Sequence, residues 1–387
     1  MSRKYLITLY FLGLVCLVLA FATGFLVNDL VGARSGDFPL FLQAYEIIKN
    51  HGFSELPEPP SIEYGMIRGM IEAYGDPHTS FLEPVQHELE TNDLQGSFGG
   101  IGVRLVTEES GILLLYPFRD GPAALAGVLD ADQLISVEGL TIGPDTPIGD
   151  ITAAIRGPVG EPVDITVHRQ PGPEEMSFSI ERESVPLPSV TWHLSSIDSR
   201  VGVLEVNLLA ASTKDEILEA VEDLKSRGAT HFVLDLRDNN GGLLDAGIDA
   251  ARLFLESGLV IEQQFRGEEV DQHRVERPGP LSDLPLVLLI NQNTASAAEI
   301  LAGALQNQGR AELIGQPSFG KDSIQLVFDL TDGSSVHVTS ARWWLPGSER
   351  LVSEGGLQPD LVVPPSEEGL DSAMQEAVSR LLSAQIP

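Results

Sequence analysis

The sequence predicts a multidomain α/β protein carried on an N-terminal membrane helix. Two apolar runs, His231–Leu236 and Pro285–Ile290, have the length and composition of buried strands, and each leads through a polar turn into a helix. A glycine-punctuated stretch of alternating strands fills the middle of the chain, from about 91 to 172. At the N-terminus, Tyr5–Val27 carries no charged residue.

Arg3 and Lys4 precede that uncharged run, which as a helix would be roughly 34 Å long, enough to span a bilayer. Basic residues on that side predict a cytoplasmic N-terminus and an extracytoplasmic remainder, hence a single-pass protein of the cell membrane. Ala20-Phe21-Ala22 also fits a signal-peptidase site, so a secreted or periplasmic product is the alternative for residues 1–30. Cys16 is the single cysteine, which excludes intramolecular disulfides and cysteine-based metal sites. A net charge of −32 over 387 residues argues against nucleic acid or an anionic membrane surface as the main partner. With 43% hydrophobic residues, the chain is too apolar for a disordered acidic polymer. No cofactor or metal is expected, since no zinc-ligand spacing such as His-Glu-x-x-His occurs, and no Gly-x-Ser-x-Gly elbow occurs either.

Residues 31–90 read as a small helical segment. Phe41, Ala44, Tyr45, Ile47 and Ile48 recur at helical spacing, and the Pro-rich break Leu56–Pro60 follows. A second helix, about Ile62–Tyr74, carries Met66, Ile67, Met70 and Ile71, and ends at Gly75-Asp-Pro-His-Thr-Ser-Phe-Leu82. The β-rich module, 91–172, opens with Gly96-Ser-Phe-Gly-Gly-Ile-Gly-Val103. It continues through a short helix, Gly121–Val128, a strand and turn, Leu134–Gly139, and the strand Val163–His168. Backbone N–H groups around Gly99, Gly100 and Gly102 can bind a carboxylate without side-chain bulk. Ile101 and Val103 would supply an apolar floor, and the following edge strand can pair with an extended peptide. Protein or peptide substrates with apolar C-termini are therefore the expected partners.

The remaining residues, 173–387, alternate strand and helix. Val201–Asn207 reads as a strand and Thr213–Gly228 as an amphipathic helix. His231–Leu236 ends in Arg237-Asp-Asn-Asn-Gly-Gly242, whose double glycine exposes backbone N–H groups before the helix Leu243–Leu255. Asp235 and Arg237 read as a structural ion pair. Pro285–Ile290 is followed by Asn291–Thr294, and Ala295-Ser-Ala-Ala-Glu299 opens a helix that stops near Asn307-Gln-Gly309. Ala311–Ile314 leads to the turn Pro317-Ser-Phe-Gly-Lys321 and the strand Ile324–Leu330, with a hairpin turn at Leu330–Gly333. A serine at a helix N-terminus suits a nucleophile, because the N–H groups there are unpaired and the dipole favours negative charge. Lys321, in its glycine turn, could act as the base. Ser296 and Glu299 equally have the spacing of a capping box, which needs no chemistry. Asp371–Leu382 reads as a terminal helix.

Asn293-Thr-Ala-Ser-Ala-Ala-Glu299, with Gly320-Lys321 and Gln325, resembles the catalytic region of the C-terminal processing (tail-specific) peptidases. Gly75–Leu82, Asp235–Gly242, Thr339–Gly347 and Gly355–Asp360 resemble further motifs of that family, in the same order. The module resembles the family's PDZ domain, with Ala131 where glycine is usual. The resemblance implies a crotonase-like α/β serine protease core and a serine endopeptidase that cuts near protein C-termini. Ser296 would be the nucleophile and Lys321 the base of a dyad, with Gln325 orienting the lysine. The N–H groups of Gly242 and Ala297 would form the oxyanion hole. Arg156 would sit at the junction between the PDZ domain and the core as a regulatory residue, and His78 would be a turn histidine at an interdomain junction. Asp322 stands where most relatives have glycine, and a carboxylate pointing inward there would raise the pKa of the base. Two rivals are a non-catalytic anchored PDZ protein that captures C-termini and a crotonase-like acyl-transfer enzyme. A homo-oligomer is left open.

Overall fold

The computed structural model describes residues 38–108, 111–144, 146–172, 175–348, 351–364 and 371–383. The expected anchor lies outside the described residues, and no described helix is long and apolar enough to cross a membrane. The chain divides into two units, Met1–Met70 and Ile71–Pro387. The first holds α1 (Pro39–His51) and most of α2 (Pro59–Tyr74), neither of which buries a side chain. α2 starts three residues before the expected Ile62 because Pro59 and Pro60 occupy its first turn. A missing N–H is harmless there, so these prolines open the helix instead of barring it.

The second unit begins with β1 (Ser80–Leu82), α3 (Pro84–Gln95) and β2 (Ser97–Gly100). The β-rich module follows as β3 (Val103–Thr107), β4 (Leu113–Pro117), α4 (Pro122–Ala126), β5 (Asp132–Val137), β6 (Leu140–Thr141), α5 (Ile148–Ile155), β7 (Pro162–His168) and β8 (Glu175–Glu181). Its sheet runs β3-β4-β5-β7-β8, with β6 on β5, so β3 is an edge strand. Because β8 pairs with β7 from end to end, the sheet continues to Glu181 and the expected boundary at 172 falls inside a hairpin. A second correction concerns Ile101. It is 0% exposed and packs in the module's own core with Leu115, Ala123 and Ile155, so in this conformation it is no groove floor. Ala131 has φ 65°, which explains why glycine suits this turn. The adjacent Asp132 is held by both Nε and Nη2 of Arg169, at 2.8 and 2.7 Å.

β9 (Glu183–Pro186) pairs with β2 and closes the module onto the core. There β10 (Val190–Leu194), β11 (Val201–Val206), α6 (Thr213–Ser226), β12 (His231–Asp235), α7 (Leu244–Phe254), β13 (Leu259–Phe265) and β14 (Asp271–Arg274) follow in turn. The chain ends with β15 (Leu286–Ile290), α8 (Ala297–Asn307), β16 (Glu312–Gly315), β17 (Ser323–Asp329), β18 (Ser335–Trp344), β19 (Leu361–Val362) and α9 (Ser372–Leu382). The main sheet has the order β10-β11-β12-β15-β16-β19, parallel except for β10. Its central strands β11, β12 and β15 are mostly apolar because both faces are covered. Leu286, Leu288 and Ile290 face a core shared with α6, α7 and α8, whereas Val287 and Leu289 face Ala377, Val378 and Leu381 of α9. A second sheet, β1-β18-β13-β14 with β17 on β18, stands beside it. α7 and α8 touch closely: a Cβ on Gly247 would lie 2.6 Å from the Ala297 carbonyl oxygen.

Candidate active site

Loops leave the parallel sheet at the carboxyl ends of β11, β12, β15 and β16, the side on which open α/β sheets bind ligands. Side chains and backbone bind these loops to one another. Thr294 Oγ1 donates to the Leu236 carbonyl at 2.8 Å, and Ala295 N–H donates to the Asn239 carbonyl at 2.9 Å. The amides of Asn291 and Asn293 both donate to Asp238 Oδ1, at 2.9 and 2.8 Å. Those donors, that of Asn293 first, hold the Asp238 carboxyl below the usual carboxylate range. Buried Asn239 donates to the Val206 carbonyl and accepts from Gly241 N–H, at 2.7 and 2.8 Å.

This stitching holds Ser296, one residue before α8, at φ 55° and ψ −120°. Such a conformation costs about 1–3 kcal/mol for a residue with a side chain and persists only where its surroundings enforce it. The capping-box arrangement with Glu299 is formed as well. Against Ser296 lies the glycine pair, with φ 107° at Gly241 and 137° at Gly242. A Cβ on Gly241 would come within 2.9 Å of the Ser296 Cβ, and one on Gly242 within 2.2 Å of the Leu209 carbonyl oxygen, so side chains are excluded at both. Neither Gly242 N–H nor Ala297 N–H has a hydrogen-bond partner among the described residues.

Lys321 arrives from the turn after β16. Phe319 N–H donates to the Thr294 carbonyl at 2.9 Å and Ser318 N–H to the Leu357 carbonyl at 3.1 Å, which seats the turn between the Ser296 loop and the segment 352–357. Lys321 Nζ donates to Gln325 Oε1 at 2.8 Å, and Gln325 Nε2 donates in turn to the His78 carbonyl. Thus His78 serves through its backbone, and the turn around it docks on β18, where Thr339 N–H donates to Thr79 Oγ1 at 3.3 Å. Burial holds the Lys321 pKa below the usual lysine range, against the opposing pull of Glu90, Glu299 and Asp76. Ser296, Lys321, Gln325 and Gly242 line one cavity of about 240 Å³. Its other walls are Leu243, Leu244, Ile300, Ile324 and Trp343, together with His337 from β18 and Glu90 and Leu94 from α3. The sequence reading missed the α3 pair, because nothing in a polar stretch marks it as the wall of a site. Gly99 and Gly100 lie in β2, and Ile101, Gly102, Val103 and Arg156 belong to the module that follows; none of them is part of this cavity.

The model of peptidase family S41 matches residues 200–363. The chain is 30% identical over 362 residues to the carboxy-terminal processing protease CtpA of Bacillus subtilis, covering 91% of this chain and 76% of that protein. It is 35% identical over 304 residues to the carboxyl-terminal-processing protease of a Picosynechococcus species, covering 78% of this chain and 73% of that protein. The chain belongs to peptidase family S41. It is a serine-type endopeptidase of the carboxyl-terminal processing group. Among solved structures, the photosystem II D1 C-terminal processing protease is 27% identical, with 89% of this chain and 92% of that chain covered and a TM-score of 0.47. Membership in S41 sets aside the acyl-transfer enzyme.

Asp322 does not face the lysine of this S41 peptidase. Its carboxylate accepts from Ser353 Oγ at 2.5 Å and lies 3.9 Å from Arg342 Nη1, on the far side of the turn. Asp235 and Arg237 do form the expected ion pair, at 2.6 Å, and Arg237 also binds Asp371 at 2.9 Å.

The low pKa of Lys321 has a consequence for stability. Below its folded-state pKa the lysine is charged in both states, and the whole penalty for burying the ammonium is present. As pH rises through that value towards 10.5, the unfolded chain binds more protons than the folded one and the penalty fades. Urea titrations across pH should therefore show the stability difference between Lys321→Met and wild type moving in wild type's favour as pH approaches 10.5. A difference that is constant with pH would mean an unshifted lysine.

Proposed function

We propose that this S41 peptidase cleaves protein chains near their C-termini with a Ser296–Lys321 dyad. The observation that carries the reading is the convergence, in one cavity, of a strained serine at a helix start and a half-buried lysine whose amine is held by Gln325. Neutral Lys321 accepts the proton of Ser296 Oγ as the oxygen attacks the scissile carbonyl. The N–H groups of Gly242 and Ala297 receive the oxyanion, a role worth roughly 3–4 kcal/mol per donor in comparable sites. Lys321 then returns its proton to the departing amine, and water repeats the sequence to release the acyl group. Desolvation supports the reading, since an ordinary lysine would be protonated at neutral pH and could not act as a base. The parallel sheet with paired N–H donors is in keeping with a crotonase-like core.

In the same reading the β-rich module is a PDZ domain that captures apolar C-termini. Edge strand β3, begun by Val103, offers a free side for β-augmentation. Gly99, Gly100 and Gly102 supply backbone N–H groups beside it, and Ile101 stiffens the loop from within the core. Arg156 would carry regulation. Its guanidinium stacks 4.0 Å from the centre of the Phe98 ring and stands 3.8 Å from Asp93 on α3, the helix that gives Glu90 and Leu94 to the cavity. The uncharged run Tyr5–Val27, behind Arg3 and Lys4, would anchor the chain with its catalytic part outside the cytoplasm.

Ser296→Ala and Lys321→Ala should each lower kcat on an unstructured protein substrate by roughly 10⁴-fold or more, and the double variant should be no worse, as groups acting as a unit are not additive. Retained cleavage in either single variant rules the dyad out. Arg156→Ala should lower kcat about tenfold, a typical allosteric coupling, while peptide binding to the module stays unchanged. Wild-type kcat at saturating substrate would reduce the module to a tether. In fractionation, the full-length chain should stay with the membranes after carbonate washing, and a soluble chain beginning at Thr23 would decide for a cleaved signal peptide.

A further inference from the structure

Glu299 is the residue in this site that the dyad reading leaves without a task. It sits in the first turn of α8, is 0% exposed, and has four donors around its two oxygens. Oε2 accepts from Ser296 N–H and from Lys321 N–H, each at 2.8 Å. Oε1 accepts from Gly320 N–H at 2.7 Å and from Ser318 Oγ at 2.5 Å. Ser318 Oγ accepts in turn from Leu357 N–H at 2.7 Å, so its own proton is directed at the carboxylate. A helix cap requires only the first of these bonds. The other three reach a different segment of chain, the turn that delivers Lys321.

We propose that Glu299 is a positioning residue that sets the register of Ser296 against Lys321, and that a neutral amide cannot replace it. This rests on the dyad reading above. One oxygen atom joins the backbones of the two residues, so neither can shift by an ångström without breaking a bond to it. Four donors saturate the acceptor capacity of an ionised carboxylate. Glutamine would turn its NH2 group toward two of those donors whichever way it flipped, and push the two segments apart. The buried negative charge also acts on the base. Lys321 faces Glu90 from α3, Asp76 from the turn before β1, Glu299 from α8 and His337 from β18, while Asp322 points elsewhere. Burial raises the Glu299 pKa and the four donors act against it, and an arrangement made only of donors fits the anion.

The two functions separate in a pair of variants of the full chain. Glu299→Gln keeps reach and removes charge, whereas Glu299→Asp keeps charge and loses reach. With an internally quenched peptide ending in apolar residues as the probe, both should lower kcat by about 100-fold, the usual effect of a misplaced catalytic group, with KM nearly unchanged. Only Glu299→Gln should move the acidic limb of the kcat/KM profile, and to lower pH, because losing a nearby negative charge lowers the pKa of Lys321. Wild-type kcat in Glu299→Gln overturns the proposal, and so does a reduced kcat with an unmoved acidic limb, which is the behaviour of a plain helix cap. If the amide variant does not accumulate as folded protein, Glu299→Asp carries the test, and wild-type kcat there overturns the proposal equally. Should Ser296→Ala or Lys321→Ala retain cleavage, it is the dyad reading that falls, whereas a failure confined to the Glu299 variants leaves the dyad standing.

Discussion

The register between three neighbouring parallel strands is the constraint from which the site follows. Asp235 is level with Leu289, and Ile290 is level with Gly315, so β12, β15 and β16 end side by side. Adjacent strands are about 4.8 Å apart. Their loops therefore emerge within reach of one another, and the glycine pair, the serine and the lysine each come from a different one of them. A slip of one residue in β15 would exchange Leu286, Leu288 and Ile290 for Val287 and Leu289, and every apolar side chain would face the wrong layer. The core thus enforces the register, and the register brings together residues far apart in sequence.

Around that scaffold the site holds groups that disfavour folding. Lys321 is half-buried, Glu299 is fully buried and Ser296 carries a strained backbone. Each is tolerated because it answers another: the carboxylate fills its acceptor sites with the N–H groups that the strained turns leave over. A second network lies behind the glycine loop. Arg237 spans Asp235 at the end of β12 and Asp371, which itself caps α9 by accepting Met374 N–H at 3.0 Å. The C-terminal helix, which covers one face of the sheet, is thereby pinned to the strand end that precedes the glycine pair Gly241 and Gly242. Removing either charge would strand the other in a partly dry setting, which is why such pairs hold position even where they add little net stability.

How much of this was legible follows from where the information lies. The strands Val201–Val206, His231–Asp235 and Leu286–Ile290 were readable because burial on both faces leaves continuous apolar runs. The turns around Gly242 and Lys321 were readable because glycine marks backbone that other residues cannot adopt. α3 was not foreseen: only Val85 and Leu89 share a helical face, Leu94 falls off it, and the helix fully buries none of its residues. The path of Gln325 to the His78 carbonyl was equally hidden, since a backbone acceptor leaves no trace in residue type. The side chain of Asp322 turned away for a reason carried by Ser353 and Arg342, distant in sequence. Ile101 misled because a glycine-rich loop reads as an open groove, whereas its side chain completes the module's core.

The unforeseen helix, α3, is also the part of the cavity wall that fully buries none of its own residues. Polar contacts tie it to its neighbours along its length. His87 lies 3.0 Å from Asp329, Glu90 lies 4.0 Å from His337, and the Leu94 carbonyl accepts from Ala211 N–H at 2.9 Å. Segments with few buried apolar contacts open at a small fraction of the global unfolding free energy. The opposite wall, Ile300 and Trp343, belongs to the main core and is rigid by comparison. A cavity with one rigid wall and one lightly held wall changes shape by moving the second. That second wall also lies beside the β-rich module, with Asp93 of α3 standing 3.8 Å from Arg156.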